Sequence, residues 1–320
     1  MRVIDLFSGM GGLATGFSRS GFSVTGYDVN PKTSEIFELN GIGETIISDL
    51  SESLQAGQTF SLRDTPLIVT GGPPCRPWSS VNRHPEKIRE NHPDYRLLAR
   101  FFDHIEELRP EAFLLENVPP IRNDAVLRRR TELLRSEYWL ASRIISYGDY
   151  GAATTRKRFF LAGFRKTGKE NAAERFFALL EEKYTHPPET VGEAIDYLVP
   201  YDFGEIPDHH WPRFRTIERY TEKYETSRFG WYRLKADRPA PSFGSVMKTY
   251  ILHPYAGNGH GVPLRVISVR EAMEIMGFDP GFRFPEGMSM TDRYQMVADA
   301  VSPVFSEKAA LAMREIMNEL

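Results

Sequence analysis

Residues 1–28, MRVIDLFSGMGGLATGFSRSGFSVTGYD, decide how the rest of the chain is read. Residues 3–6, three apolar and one acidic, read as a short strand leading to Ser8-Gly9, residues 13–19 follow with helical spacing, and residues 22–27 are strand-like again. Gly9, Gly11 and Gly12 fall between the first strand and the helix. Without a Cβ, the main chain there can pass close to a ligand at the carboxyl edge of a sheet. The spacing is not the dinucleotide G-x-G-x-x-G, because the next glycine is Gly16, so a phosphate cradle is not the first reading. Asp28 closes the second strand 19 residues after Gly9, where a carboxylate accepts hydrogen bonds from ribose hydroxyls. A further acid, Asp49 in ISDL, can meet an adenine amino group. Glycine loop and two acids together describe a site for adenosine without a diphosphate.

Outward from this stretch the alternation continues. Asn30 is placed as an N-cap with Pro31 at the first helical position, before a helix over 33–39. A strand at 67–70, a helix near 95–108, a strand at 112–115 and a helix near 124–136 follow, and 139–147 with 158–163 read as a last strand pair. Strands alternating with helices predict a mostly parallel sheet, an α/β fold with helices on both faces. After residue 165 the pattern breaks: prolines crowd the segment 166–264, which reads as a smaller domain of irregular strands and loops. Helical spacing returns near Ile267 and runs to the end, so residues 1–165 and 265–320 are expected to form one domain around the other.

Composition narrows the chemistry. The chain has 320 residues and one cysteine, which excludes an internal disulfide, a cysteine-rich zinc site and the zinc-deaminase signature. There is no secretory h-region and no apolar run near the ~18–20 residues that cross a bilayer, so a soluble cytoplasmic protein is expected. Net charge is −3, yet residues 207–250 hold nine Lys/Arg against five Asp/Glu among nine aromatics, a pattern that suits a polyanion. The adjacent His209-His210 is too weak a signal for a metal, and none is expected.

The single cysteine sits in GGPPCRPWSS, residues 71–80, directly after the apolar run 67–69. A thiol is only a few per cent ionised at neutral pH, and Arg76 beside it favours the thiolate if its side chain turns inward. LLENVPP ends the next strand at Glu116, on the same sheet edge. A thiolate and a carboxyl group facing one ligand suit addition to an electron-poor ring, with the acid at a ring nitrogen.

At this point the chain resembles the cytosine-C5 DNA methyltransferases. DLFSGMGG, YDVNP, ISDL, GGPPCRPWSS, LLENVPP, YGAATTRKRFFLAGF, RVISVREAMEIMGF and QMVADAV follow the family's block order. The resemblance covers residues 1–165 and 265–305 and implies a Rossmann-like class I methyltransferase domain plus a target-recognition domain over 166–264. It implies that Cys75 attacks C6 of a cytosine flipped from double-stranded DNA, because C5 and C6 cannot be reached within a stacked duplex. Glu116 would contact N3 and the exocyclic amine, and Arg156 and Arg158 would position it. S-adenosyl-methionine would be the methyl donor, leaving S-adenosyl-homocysteine. Phe7, Gly9, Gly11, Gly12, Asp28, Asp49, Leu50, Leu97 and Asp299 match cofactor positions, and Pro73 supports the catalytic loop. Arg76, Ser79, Ser80 and Thr154 would face DNA, with Arg213, Arg215, Arg228 and Arg233 as candidates in the variable segment.

Six positions depart from the family pattern: Arg76 stands for Gln, Trp78 for Phe, Ala153 for Pro, Thr154 for Gln, Ala298 for Gly and Asp299 for Asn. The resemblance implies a monomer and is compatible with a separate restriction endonuclease acting at the same site. Two rival readings remain: a transfer-RNA cytosine methyltransferase, and a DNA-binding paralogue that has lost activity.

Overall fold

The computed structural model describes residues 1–52, 67–78, 89–167, 170–225, 230–258 and 261–320. Ser79, Ser80 and Arg228 lie outside them. The chain forms two compact units, the first of Met1–Ile145, Lys157–Thr185 and Ser306–Leu320, the second of Ser146–Arg156 and His186–Phe305.

The first unit is built on seven strands: β1 (Arg2–Leu6), β2 (Ser23–Asp28), β3 (Glu44–Ile47), β4 (Leu67–Gly71), β5 (Ala112–Asn117), β6 (Tyr138–Ser146) and β7 (Lys157–Arg165). Their order in the sheet is β3-β2-β1-β4-β5-β7-β6. β1 pairs in parallel with β2 and β4, β2 with β3, and β4 with β5, whereas β5 and β7 are antiparallel. The expected mostly parallel sheet is therefore present, with an antiparallel edge. β4 and β5 are buried at every position, which is why LIVTG and AFLLEN read as apolar runs rather than alternating ones.

Register decides what shares an edge. Leu6 is level with Tyr27 and Gly71, Asp28 with Ile47, and Gly71 with Leu115. The loops after β1 to β5 consequently leave from one carboxyl edge. Because β7 runs the other way, its first residues reach the same edge: Glu116 pairs with Phe160 and Asn117 with Phe159.

The helices of this unit are α1 (Gly12–Arg19), α2 (Lys32–Leu39), α3 (Tyr95–Leu108), α4 (Ala125–Leu134) and α5 (Ala172–Lys183). The N-cap of α2 is Pro31 rather than Asn30, so the expected cap is shifted by one residue; Asn30, just before it, accepts from Lys32 N through Oδ1 at 3.0 Å. α5 lies where the sequence suggested irregular structure. The prolines that prompted that reading begin only at Pro187, after α5 has ended. Asn171 caps α5 through Ala173 N and Glu174 N at 3.1 and 3.2 Å, and Phe176, Phe177 and Leu180 are buried.

The second unit contains α6 (Val191–Ile195), α7 (Arg215–Arg219), α8 (Glu222–Glu225), α9 (Val269–Ile275) and α10 (Met290–Asp299). Among its described residues, pairing between extended segments is limited to single bridges such as Thr154 to Ala240 and Arg233 to Leu252. Buried charged groups link its segments instead. Arg265 forms two 2.7 Å bonds to Glu271, and the buried Arg270 donates to the carbonyls of Pro207, Asp279 and Phe282 at 3.0, 3.3 and 2.6 Å. Such groups are costly to bury unless fully partnered. They tie α9 to loops near 207 and 280, so α9 and α10 group with the second unit, although the sequence reading set 265–320 beside 1–165. The last helix, α11 (Pro303–Glu319), contributes to the first unit from Ser306 onward. There the Ser306 hydroxyl donates to Leu13 O, and a Cβ on Gly16 of α1 would lie 2.3 Å from Glu307 N.

Candidate active site

The loop after β1 turns sharply, with Phe7, Gly9 and Gly11 at φ of 59°, 53° and 81°. Its geometry is set by Asp28, whose Oδ2 accepts from Gly9 N and whose Oδ1 accepts from Asn30 N, both at 2.8 Å. A Cβ on Gly11 would lie 2.8 Å from both Ile42 and Phe37, so that glycine is needed for close packing. A Cβ on Gly9 would meet nothing within 4 Å, so the main chain there faces open space. Burial raises the Asp28 carboxyl, and the Asn30 and Gly9 amides oppose that rise. Asp49 is exposed and held below its ordinary value chiefly by the Ser51 amide at 2.9 Å. Val29, directly after Asp28, and Ile47, level with Asp28 in the sheet, are left 66% and 46% exposed. Exposed apolar side chains near a carboxylate suit a purine nucleoside. Leu50 is buried and Leu97 half-buried on α3, and the buried His104 lies 3.2 Å from the Leu50 carbonyl through Nε2.

Beneath this loop, Asp5 was not singled out from sequence. It is buried, and Thr70 Oγ1 donates to its Oδ1 at 2.6 Å. Desolvation dominates and raises its carboxyl from 3.8 to about 7, with the Thr70 bond opposing and the Asp28 charge adding. The folded state therefore holds a proton that the unfolded chain loses between these two values, and stability is drained as pH rises through that window. Asp5→Asn is expected to be more stable than the parent at pH 8, by at most roughly 4 kcal/mol, with the gain shrinking toward pH 5. Thermal unfolding of both proteins across that range checks this, and a difference independent of pH overturns it.

At the next loop along the edge stands Cys75, half-exposed, with Arg76 exposed after it and Pro77 and Trp78 buried. Pro73, also buried, accepts from Asn117 Nδ2 through its carbonyl at 2.8 Å. Glu116, one residue before the end of β5, is nearly buried, its Oε1 3.0 Å from Arg158 Nε. That pairing follows from the antiparallel β7. A Cβ on Gly72 would lie 2.8 Å from Glu116 Oε2, so the second glycine of GGPPC leaves room for the carboxylate. The sequence reading had no role for Gly72 or Asn117, although both lie in its quoted motifs.

Other expected site residues have different surroundings. Arg156 belongs to the second unit, where its guanidinium donates to Phe243 O at 3.1 Å and to Ala298 O. It braces main chain there, whereas Arg158 is the arginine on Glu116. Thr154 is fully buried, its Oγ1 accepting from Arg156 N at 3.3 Å, a setting that supports a structural role rather than direct contact with DNA. Asp299 is exposed at the end of α10 in the second unit, and its Oδ2 accepts from Gln295 at 2.8 Å. Arg213 and Arg215 are exposed. Arg233 instead donates through Nη1 to the carbonyls of His253, Pro254 and Ala256 at 3.3, 3.3 and 2.6 Å, and burial lowers its pKa. His209 is buried against Ser268 Oγ at 3.1 Å, and burial lowers its pKa. Among the described residues no helix is long and apolar enough to cross a membrane.

A cysteine, an arginine-held glutamate and a glycine loop thus share one edge of a mixed sheet. Comparison with known proteins gives the family. The profile of the C-5 cytosine-specific DNA methylases matches residues 1–315, and the chain belongs to that family. It is 27% identical to the type II methyltransferase M.FnuDI of Fusobacterium nucleatum, covering 100% of this chain and 96% of the relative. It is likewise 27% identical to the type II methyltransferase M.HindV of Haemophilus influenzae, over 94% and 92% of the two chains. The solved structure of the Entamoeba histolytica methyltransferase EhMeth shares the fold with a TM-score of 0.72 at 18% identity, covering 100% and 98%.

Proposed function

We propose that this protein methylates C5 of a cytosine flipped out of double-stranded DNA, with Cys75 as nucleophile and Glu116 as the acid at the base. The observation that carries the reading is the convergence of Cys75, Glu116 and Arg158 on the sheet edge that also bears the glycine loop. Phe7, Gly9, Gly11, Gly12, Asp28, Asp49, Leu50 and Leu97 fit S-adenosyl-methionine: open space at Gly9, exposed apolar side chains at Val29 and Ile47, and spare lone-pair capacity on Asp28 for a ribose diol. When bound, that cofactor supplies an electrophilic methyl group on sulfur.

The chain's own groups do the rest. Cys75 Sγ, as thiolate, forms a bond to C6, and the electron pair displaced from the C5–C6 double bond makes C5 nucleophilic. Glu116 holds a proton at N3 and accepts from the exocyclic amine, which draws electron density away from C6 during addition. Arg158 keeps the Glu116 carboxyl pointed at the base. After methylation at C5, the C5 proton would pass to water, the electron pair of that C–H bond would re-form the C5–C6 double bond, and Cys75 would leave as thiolate. The second unit would choose the target, with Arg213 and Arg215 exposed for phosphate or base contact. Convergence of all three reactive groups supports an active enzyme over a binding-only paralogue, and the DNA-methylase profile favours DNA over transfer RNA.

A monomer acting beside a separately encoded restriction endonuclease completes the reading. The test is nucleoside mass spectrometry of mixed genomic DNA incubated with protein and S-adenosyl-methionine. 5-Methylcytosine is the expected product. DNA left unmodified while transfer RNA gains the methyl group would overturn the choice of substrate.

A further inference from the structure

We propose that Asp124 is a positioning residue for Cys75, acting through the indole of Trp78; this rests on Cys75 being the nucleophile. Residues Arg76–Trp78 form a 3-10 turn that Trp78 N closes onto Cys75 O at 2.9 Å. Where Trp78 sits therefore sets the peptide plane of the cysteine. Trp78 is 1% exposed, and its Nε1 donates to Asp124 Oδ2 at 2.8 Å. Its ring packs against Tyr95 with centroids 5.5 Å apart, and the Tyr95 hydroxyl lies 3.4 Å from both Asp124 oxygens. Burial, with the Asp124 charge beside it, raises the Tyr95 phenol, so it remains protonated and donating.

Asp124 is 2% exposed and caps α4, its Oδ1 accepting from Val126 N at 2.8 Å. One carboxylate thus joins the start of α4, the first turn of α3 and the turn after the cysteine. On the other flank, Asn117 Nδ2 holds the Pro73 carbonyl at 2.8 Å. Asn117 and Asp124 bracket the 3-10 turn Pro119–Asn123 that follows Glu116. The segment that carries the acid therefore grips the cysteine loop on both sides, and the two reacting groups are held in mutual register.

Core packing alone does not account for this arrangement. A phenylalanine at 78 would pack on Tyr95 with no polar partner, and a serine would cap α4 about as well as an aspartate. Burying a carboxylate costs several kcal/mol unless donors meet it. Here the donors come from the indole, the phenol and a helix amide, and the helix N-terminus adds its dipole.

The experiment compares Trp78→Phe, Asp124→Asn and the double variant with the parent and with Cys75→Ser. Asp124→Asn keeps the Oδ1 acceptor for Val126 but presents an amide to the indole N–H. Trp78→Phe keeps an aromatic ring, smaller than the indole, and removes the donor, and it carries the test alone if Asp124→Asn does not fold. Single-turnover methyl transfer, cofactor KM, thermal unfolding and the iodoacetamide alkylation rate of Cys75, the chain's one thiol, are measured. Each single variant is expected to slow transfer by about ten- to a hundred-fold with KM held within about twofold, as misplacement of a reacting group does. The double variant should be no slower than the slower single one, because both break the same link. The pH profile of alkylation should shift in all three.

Transfer and alkylation at parental rates, with only a lower Tm, would reduce the pair to packing and overturn the proposal. If the parent itself transfers no methyl group to DNA, the proposed function fails. The alkylation profile still decides whether Asp124 positions the thiol.

Discussion

Cys75→Ser is expected to reduce methyl transfer by about a thousand-fold or more while leaving the protein folded. A serine is close in size, and Cys75 is only half-buried in a loop whose position is held by Pro73 and Trp78. Substitutions of this kind away from a packed core usually change stability by about 0.5 kcal/mol or less. The chemistry is another matter, because a thiol is a few per cent ionised at neutral pH while a hydroxyl is not, so addition to C6 has no competent nucleophile. Duplex DNA carrying 5-fluorocytosine makes the same point without turnover. Fluorine at C5 cannot leave as a proton does, so a methylated adduct stays bonded to Cys75 and migrates as a covalent complex on a denaturing gel. The parent should form that band and Cys75→Ser should not. Activity in the serine variant within about tenfold of the parent would remove Cys75 from the mechanism.

Gly72→Ala is expected to slow transfer by about ten- to a hundred-fold with Tm nearly unchanged. The added Cβ would lie 2.8 Å from Glu116 Oε2, too close for a real contact, so something must shift. The nearest atom is the free end of a side chain rather than main chain, and Gly72 has no positive φ, so the fold bears little cost. The carboxylate gives way, and with it the 3.0 Å contact to Arg158 and the alignment on the base. The loss should appear in kcat and leave cofactor affinity intact, because the glycine loop is untouched. Parental kcat in this variant, measured beside its melting curve, would show that Glu116 is not placed by that contact.

The glycine loop, Asp28, Cys75 and Glu116 were legible because each follows an apolar run at a sheet's carboxyl edge, and parallel strands bring such loops together. Arg158 was legible as a family match, but its geometry was not, since apolar periodicity carries no strand direction. Only the antiparallel pairing with β5 explains why the amino end of β7 meets Glu116. Arg156 shows the limit of reading neighbours alike. It lies just before β7 begins, so strand alternation does not place it with Arg158, and its guanidinium goes to main-chain carbonyls. Thr154 and Arg233 fail for a related reason. Sequence does not distinguish a polar group that satisfies a loop's own carbonyls or amides from one that faces a phosphate. Asp5, Asn117 and Asp124 were missed because their value lies in partners 65, 44 and 46 residues away along the chain.

The return of α11 to the first unit has a consequence for the order in which the molecule comes into being. A ribosome delivers β1, the glycine loop and α1 well before the residues that cover α1 at Gly16, since Ser306 and Glu307 follow nearly three hundred residues later. The helix behind the glycine loop is thus made long before the segment that covers it.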